Sequence, residues 1–297
     1  MNLGRLLAML VVSLCCSGAI HAADNRPPKT VMVAAVQCSS DLGDVAGNTR
    51  KLTRLVEEAA DNGAKIVVLP ETAITGYLSQ DLATNWHLEG RPLDESFTGK
   101  DPLPFAEPVP GLSTKHFCEL AKRLNVYLTI PLLENGGLDA EGKPKLFNTV
   151  CLASPKGELV AHYRKLTPWP HPEKSWATPG DRGIQTFDTE YGRVGLAICF
   201  DIHTILPRYK PEKIWALLYP IAWVDSNHPA EWFWHTLPRN VAAYDHFVIG
   251  ANWSVDKPKP WFGYGFSTII APGGKVIASA TSLHGSQIVY ATIPSQK

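Results

Sequence analysis

The chain has 297 residues, 45% hydrophobic and 19% charged, enough apolar material for one large core or two small ones. Its 28 lysines and arginines balance 28 aspartates and glutamates, so bulk charge draws it neither to nucleic acid nor to an anionic membrane. No internal repeat, low-complexity tract or long run of like charge divides it.

The opening residues differ from the rest. Arg5 precedes an apolar run from Leu6 to Leu14, and the small-residue tail Ser17-Gly-Ala-Ile-His-Ala22 follows. That layout predicts an export signal at residues 1–22, cleaved near Ala22, and a mature domain at 23–297 in the periplasm or outside the cell. The apolar run is too short for a permanent span, and no other segment after it reads as one. Leu14 and Cys15 stand before Cys15 and Cys16 where a lipidation site wants a small residue, which disfavours a lipid anchor. Cys38, Cys118, Cys151 and Cys199 remain after cleavage, too few for a disulfide scaffold.

Thr30 to Gln37 is a nearly continuous apolar run and reads as a buried strand. Asn48 to Ala60 places Leu52, Leu55, Val56 and Ala59 on one helical face, and Asn62-Gly63 stops it. Lys65 to Leu69 is a second buried strand ending in Pro70-Glu71. Strand, helix and strand with short loops imply parallel pairing. Thr72 to Gly111 is long and irregular, with Tyr77, Trp86, Phe97 and Phe105, as a lid or pocket wall would be. A helix at Ser113–Leu124, a strand at Val126–Leu133 and a turn at Asn135-Gly136-Gly137 follow. Hairpins are expected at Phe147–Ala153 with Leu159–Tyr163, and at Ser267–Ala271 with Val276–Ala280. Val194 to Ile198 and Ile214 to Tyr219 are buried strands, Glu231 to Tyr244 an aromatic-rich helix, and Phe247–Ala251 and Ile288–Ile293 the last strands. The pattern is a single α/β domain with mixed sheets and outer helices.

Three apolar strands end in reactive residues: Glu71 after Leu69-Pro70, Lys165 after His162-Tyr163-Arg164, and Cys199 after Ile198. Alone, each has an ordinary reading: a solvated carboxylate, a surface ammonium, a buried structural thiol. Ligands of α/β layers bind at strand ends, so three such residues together predict one site. At the corner after its strand Cys199 is held while the Phe200 N–H is freed, as a nucleophile and an oxyanion donor require.

Pro70-Glu-Thr-Ala-Ile-Thr-Gly-Tyr77, Tyr163-Arg-Lys-Leu166 and Gly195-Leu-Ala-Ile-Cys-Phe-Asp201 resemble the three signature blocks of the nitrilase superfamily, the carbon–nitrogen hydrolases. Ala34-Ala-Val-Gln37, Asn48, His171-Pro-Glu-Lys174 and Thr178-Pro-Gly180 fit as well, so the resemblance spans about Val31 to Ile293. It implies a four-layer αββα sandwich, a homo-oligomer, and a Glu71, Lys165, Cys199 catalytic set with Glu173 as accessory carboxylate. No metal or organic cofactor is needed. A thiol with an ordinary pKa of about 8.5 needs a base to attack at neutral pH; Glu71 would be that base. Lys165 and the Phe200 N–H would hold the oxyanion, and Glu173 would hold Lys165 or the attacking water. The product would be a Cys199 thioester, then an acid, with ammonia or an amine released from a small-molecule amide. An acyltransferase, an N-carbamoyl hydrolase or a pantetheinase-like secondary amidase would use the same thioester.

Nitrile-cleaving members resemble Cys-Trp-Glu at the nucleophile; Cys199-Phe200-Asp201 points to amides instead. Ile202-His203-Thr204-Ile205 departs from the basic–aromatic–Pro-Glu pattern of many ω-amidases and carbamoyl hydrolases. With Tyr219-Pro-Ile-Ala-Trp223 downstream, the segment is more similar to the exported pantetheinase and biotinidase branch. Tyr77, His203 and Trp223 are the expected substrate contacts. Most of Trp169, Trp176, Phe233, Trp234 and Trp253 are expected to fill core.

Overall fold

The computed structural model describes residues 29–78, 101–170, 173, 175–223, 231–254 and 265–297. The expected export signal, Cys15, Cys16, Trp86 and Phe97 lie outside the described residues. β1 (Thr30–Gln37), α1 (Val45–Asp61) and β2 (Ile66–Val68) open the fold, with β1 and β2 parallel. α1 begins before its apolar pattern does, because the Asp44 carboxylate accepts the Gly47 N–H at 2.8 Å and caps it.

α2 (Leu112–Leu124) leads into β3 (Tyr127–Leu138), β4 (Pro144–Ala153) and β5 (Leu159–Arg164). The turn expected at Asn135-Gly136-Gly137 is corrected: β3 runs through those residues, and the chain reverses after Asp139. Asp139 Oδ1 accepts from the Glu141 and Lys143 N–H groups at 2.9 and 2.8 Å, building a side-chain-stabilised turn. The two glycines are absorbed in the register shift between Asn135 and Leu138.

The second half supplies β6 (Thr186–Asp188), β7 (Arg193–Leu196), α3 (Leu206–Tyr209) and β8 (Ala216–Pro220). The helix expected from Glu231 to Tyr244 is shorter and partly wider. Trp232–Thr236 is a π-helical turn in which the Leu237 N–H reaches back to the Trp232 carbonyl. α4 (Leu237–Val241) follows. Pro238 has no N–H to direct at the carbonyl four residues back, which favours the wider turn before it. β9 (Phe247–Ala251), β10 (Thr268–Ala271), β11 (Lys275–Ser279) and β12 (Gln287–Pro294) complete the chain. The sequence pattern does not predict β6, a three-residue edge strand.

Two six-stranded mixed sheets result, ordered β12-β1-β2-β3-β4-β5 and β11-β10-β9-β8-β7-β6. Alternation along β1 divides the cores. Val31, Val33 and Ala35 pack with residues of the second sheet such as Leu218 and Ile249. Ala34 and Val36 pack with Leu52, Val56 and Ala59 of α1 and with Phe117 and Ala121 of α2. Leu206, Tyr209, Leu237 and Val241 of α3 and α4 pack on the second sheet. The layers are helix, sheet, sheet, helix, as the αββα expectation requires. Each buried Leu or Val contributes about 1.5–3 kcal/mol, so the sheets form a stiff frame for groups at their ends. No helix among the described residues is long and apolar enough to cross a membrane.

Candidate active site

Glu71 follows β2, Lys165 follows β5, and Cys199 stands three residues past β7. All three are buried, as is Glu173. Lys165 Nζ donates to Glu71 Oε1 and to Glu173 Oε2, each at 2.7 Å. Asn148, on β4, was missed by sequence reasoning. Its Nδ2 donates to Glu71 Oε1 at 2.7 Å and to Glu173 Oε1, and its carbonyl accepts the Lys165 N–H at 2.8 Å. The Trp169 N–H adds a donor to Glu173 Oε2. Among the described residues Glu71 Oε2 has no hydrogen-bond partner.

Charge and burial compete here. Burial pushes the Glu71 carboxyl up to about 7, against the Lys165 ammonium and with the Glu173 carboxylate. Burial would pull Lys165 down, but the Glu173 and Glu71 carboxylates hold it above its ordinary value, so it stays charged. Burial and the Glu71 charge push the Cys199 thiol well up, against Lys165 and a hydrogen bond from the Ala222 amide. At rest the sulfur is a thiol, beside a carboxyl whose proton is gained and lost near neutrality.

The nucleophile corner is strained. Cys199 has φ 40°, in the left-handed region that non-glycine residues rarely occupy. It starts a 3₁₀ turn, Cys199–His203, whose first bond is from the Asp201 N–H to the Ile198 carbonyl at 3.0 Å, leaving the Phe200 N–H ahead of it. Two side chains hold the corner. Tyr219 donates its hydroxyl to the Cys199 carbonyl at 2.7 Å. Asp201 accepts from the Tyr163 hydroxyl, the Ile198 N–H and the Thr167 N–H at 2.6, 3.1 and 2.8 Å. Asp201 therefore faces inward and joins the Lys165 end of the first sheet to the Cys199 end of the second. Burial raises its carboxyl to about 6, against the Lys165 charge and these hydrogen bonds.

The Glu71 corner is built alike. Thr72 has φ 49°, and the Glu71 carbonyl accepts the Trp253 indole N–H at 2.7 Å. Asn48 within α1 bonds the Asp41 backbone on both sides and the Ile74 carbonyl. Gly76 has φ 78°, and a Cβ there would lie 2.9 Å from the Leu42 Cα. At Lys165, the Gly180 N–H donates to its carbonyl at 2.8 Å, and a Cβ on Gly180 would lie 2.1 Å from the Arg164 carbonyl oxygen.

Of the expected substrate contacts, Tyr77 is buried. Its phenol faces Glu173, Glu71 and Cys199, and burial together with those charges raises it well above the phenolic range. Trp223 follows Ala222, whose amide bonds the sulfur, and stacks on Trp232 with ring centroids 3.9 Å apart. His203 lies against Phe200, Trp232 and Trp223, at 4.9, 5.2 and 6.3 Å. Trp232 is a contribution of the π-helical turn that sequence reasoning did not single out. Phe233 is core, as expected, whereas Trp234 is 50% exposed. Trp253, expected as filler, also bonds the Glu71 backbone. Cys38, Cys118, Cys151 and Cys199 are all buried, and among the described residues none forms a disulfide.

Comparison with known proteins agrees with this geometry. Omega-amidase NIT2 of Homo sapiens is 31% identical over 262 residues, covering 84% of each chain. Omega-amidase NIT2 of Xenopus tropicalis is 30% identical over 247 residues, covering 79% of each. The crystal structure of Saccharomyces cerevisiae Nit3, a member of branch 10 of the nitrilase superfamily, has the same fold. It superposes with a TM-score of 0.69 at 24% identity, over 89% of this chain and 90% of that one. The carbon-nitrogen hydrolase family model matches residues 32–297, and the chain belongs to that family, within the nitrilase superfamily.

Proposed function

We propose that the protein is a thiol amidohydrolase that cleaves a non-peptide amide through a thioester on Cys199. The observation that carries this reading is the unpartnered oxygen of Glu71. Four carboxylate oxygens surround one ammonium and one amide, and three of them accept hydrogen bonds. Among the described residues Glu71 Oε2 accepts none, on a carboxyl that burial raises to about 7. An oxygen left basic in this way suits a general base at neutral pH.

The chemistry follows from the donors at hand. Glu71 takes the thiol proton as Sγ attacks the amide carbon. The third ammonium proton of Lys165 and the Phe200 N–H stabilise the oxyanion. Glu71 returns the proton to the nitrogen, the C–N bond breaks, and ammonia or an amine leaves. Water then loses a proton to Glu71 and attacks the thioester; the acid departs and the thiol is restored. Glu173 holds Lys165 throughout.

The family relatives named omega-amidase support an amide at the far end of a small molecule, with ammonia as product. A second reading, a larger secondary amide, is favoured by the aromatic wall of Phe200, His203, Trp223 and Trp232. A panel of ω-amides and N-alkyl amides, read for ammonia and for amine, separates the two. Cys199→Ala should abolish release from both; undiminished turnover by that variant would sink the mechanism. Export is part of the proposal: N-terminal sequencing of protein from the producing cells should begin near Ala23, and an uncleaved Met1 start would overturn it.

A further inference from the structure

Asn148 is the neutral member of a charged cluster. Both hydrogens of its Nδ2 are used, one on Glu71 Oε1 and one on Glu173 Oε1. The chemistry fixes its orientation, since an Oδ1 in that position would face two carboxylates. Its Oδ1 is buried and has no partner among the described residues, a desolvation cost that a filler side chain would not carry. Its carbonyl also fixes the Lys165 backbone. One residue of β4 thus touches all three charged groups.

A single ammonium cannot neutralise two buried carboxylates. Two further donors relieve the excess charge, and their geometry has a second effect. Glu71 Oε1 receives both Lys165 Nζ and Asn148 Nδ2, so the remaining lone-pair-bearing oxygen is Oε2. Without Asn148, either oxygen of Glu71 could turn to Lys165, and the carboxylate would be harder to ionise.

We propose that Asn148 is a positioning residue that sets the proton affinity of Glu71 and leaves its Oε2 as the free oxygen. The inference rests on the reading of Glu71 as the base. The groups that face Glu71 are Lys165 after β5, Glu173 from the following loop, Cys199 from the nucleophile corner, Tyr77 from its own loop and Tyr219 from β8. None of these is altered in the variants below.

The test reads the sulfur without any substrate. The rate of Cys199 alkylation by iodoacetamide is followed by intact mass from pH 5 to 9 in the wild type, Asn148→Leu and Asn148→Ser. Leu keeps the branching at Cγ and removes both donors; Ser keeps one. The acid limb of the profile should move up by about one pH unit in Asn148→Leu and by less in Asn148→Ser, lowering the rate at pH 7 about fivefold in the former. If both folded variants, judged by circular dichroism and melting temperature, keep the wild-type midpoint, the proposal is overturned, whatever happens to the rate. Should Asn148→Leu fail to fold, Asn148→Ser alone decides, since any upward shift supports the role and none contradicts it. Failure of the underlying reading would appear differently: Glu71→Gln would leave the wild-type limb in place.

Discussion

Glu71 is ionisable in a place that resists its charge. Burial raises it to about 7 while Lys165 beside it remains charged. A base must be deprotonated to act, so kcat/KM should fall on the acid side of about pH 7 in the wild type. Glu71→Gln should lower kcat/KM by roughly 100- to 10,000-fold and remove that limb. A residual activity that keeps the same limb would assign it to another group. Glu71, Lys165 and Cys199 were legible from sequence because each sits in a short block at or just past a strand end; Glu173, in the loop after β5, was legible only through the resemblance of its segment to the family. Asn148, Tyr219 and Trp253 were not. They lie inside apolar strands or their ends, where a polar side chain looks like an ordinary core exception until the sheets bring it to the site. Asp201 was read only as a sign of substrate class; its three hydrogen bonds make it a brace for the nucleophile corner.

At the scale of elements, positioning comes from corners rather than from strands alone. Cys199 and Thr72 both hold positive φ, and a neighbouring aromatic side chain bonds the backbone carbonyl of Cys199 and of Glu71. The Lys165 end is braced differently. Glu134 of β3 accepts from Thr149 of β4 and from His162 and Arg164 of β5, at 2.7, 2.7 and 2.6 Å. Burial would raise Glu134, but these hydrogen bonds outweigh it and hold it at about 2. Gly180 then closes on the Lys165 backbone. Gly180→Ala places a Cβ where the Arg164 carbonyl already is, so Lys165 must shift. A shift of about 1 Å costs on the order of 100-fold in rate, and kcat should carry most of it while KM stays within about threefold. Unchanged kcat in a folded Gly180→Ala would show that Lys165 tolerates displacement. The boundaries of β3 show where local pattern loses to local chemistry. Asn135-Gly136-Gly137 has turn composition, yet the Asp139 side chain makes the better turn and the glycines pass as a bulge.

For the whole molecule, the site is a cost carried by two well-packed sheets. Glu71 has a folded value near 7 against an ordinary 4.5, so its effect on stability has a definite sign. Below about pH 4.5 the carboxyl is protonated in both states and costs nothing. As pH rises through about 7 the unfolded chain is already ionised, and folding must bury the charge. The difference of roughly 2.5 units corresponds to at most about 3 kcal/mol. Glu71→Gln should therefore melt higher than the wild type at pH 8 and lose that advantage by pH 5, measured by thermal unfolding at both pH values. Equal melting temperatures at pH 8 would mean that Lys165 fully offsets the buried charge. The layer order was legible because continuous apolar runs at β1 and β2 flank the 3.6-residue pattern of α1, and runs of the same kind recur at β7, β8 and β9. The edge strand β6 and the π-helical turn were not, being set by neighbouring strands and by a missing N–H at Pro238 rather than by periodicity. The chemistry of all these parts converges on one atom, Cys199 Sγ. Acid quenching during turnover of a mixed amide library, followed by intact-mass and peptide mapping, reads that atom directly. A mass increase equal to one acyl group, located on Cys199 and absent from Cys199→Ala, is the expected result. Continued turnover with Cys199 unmodified at every quench time, or an adduct on another residue, would contradict it.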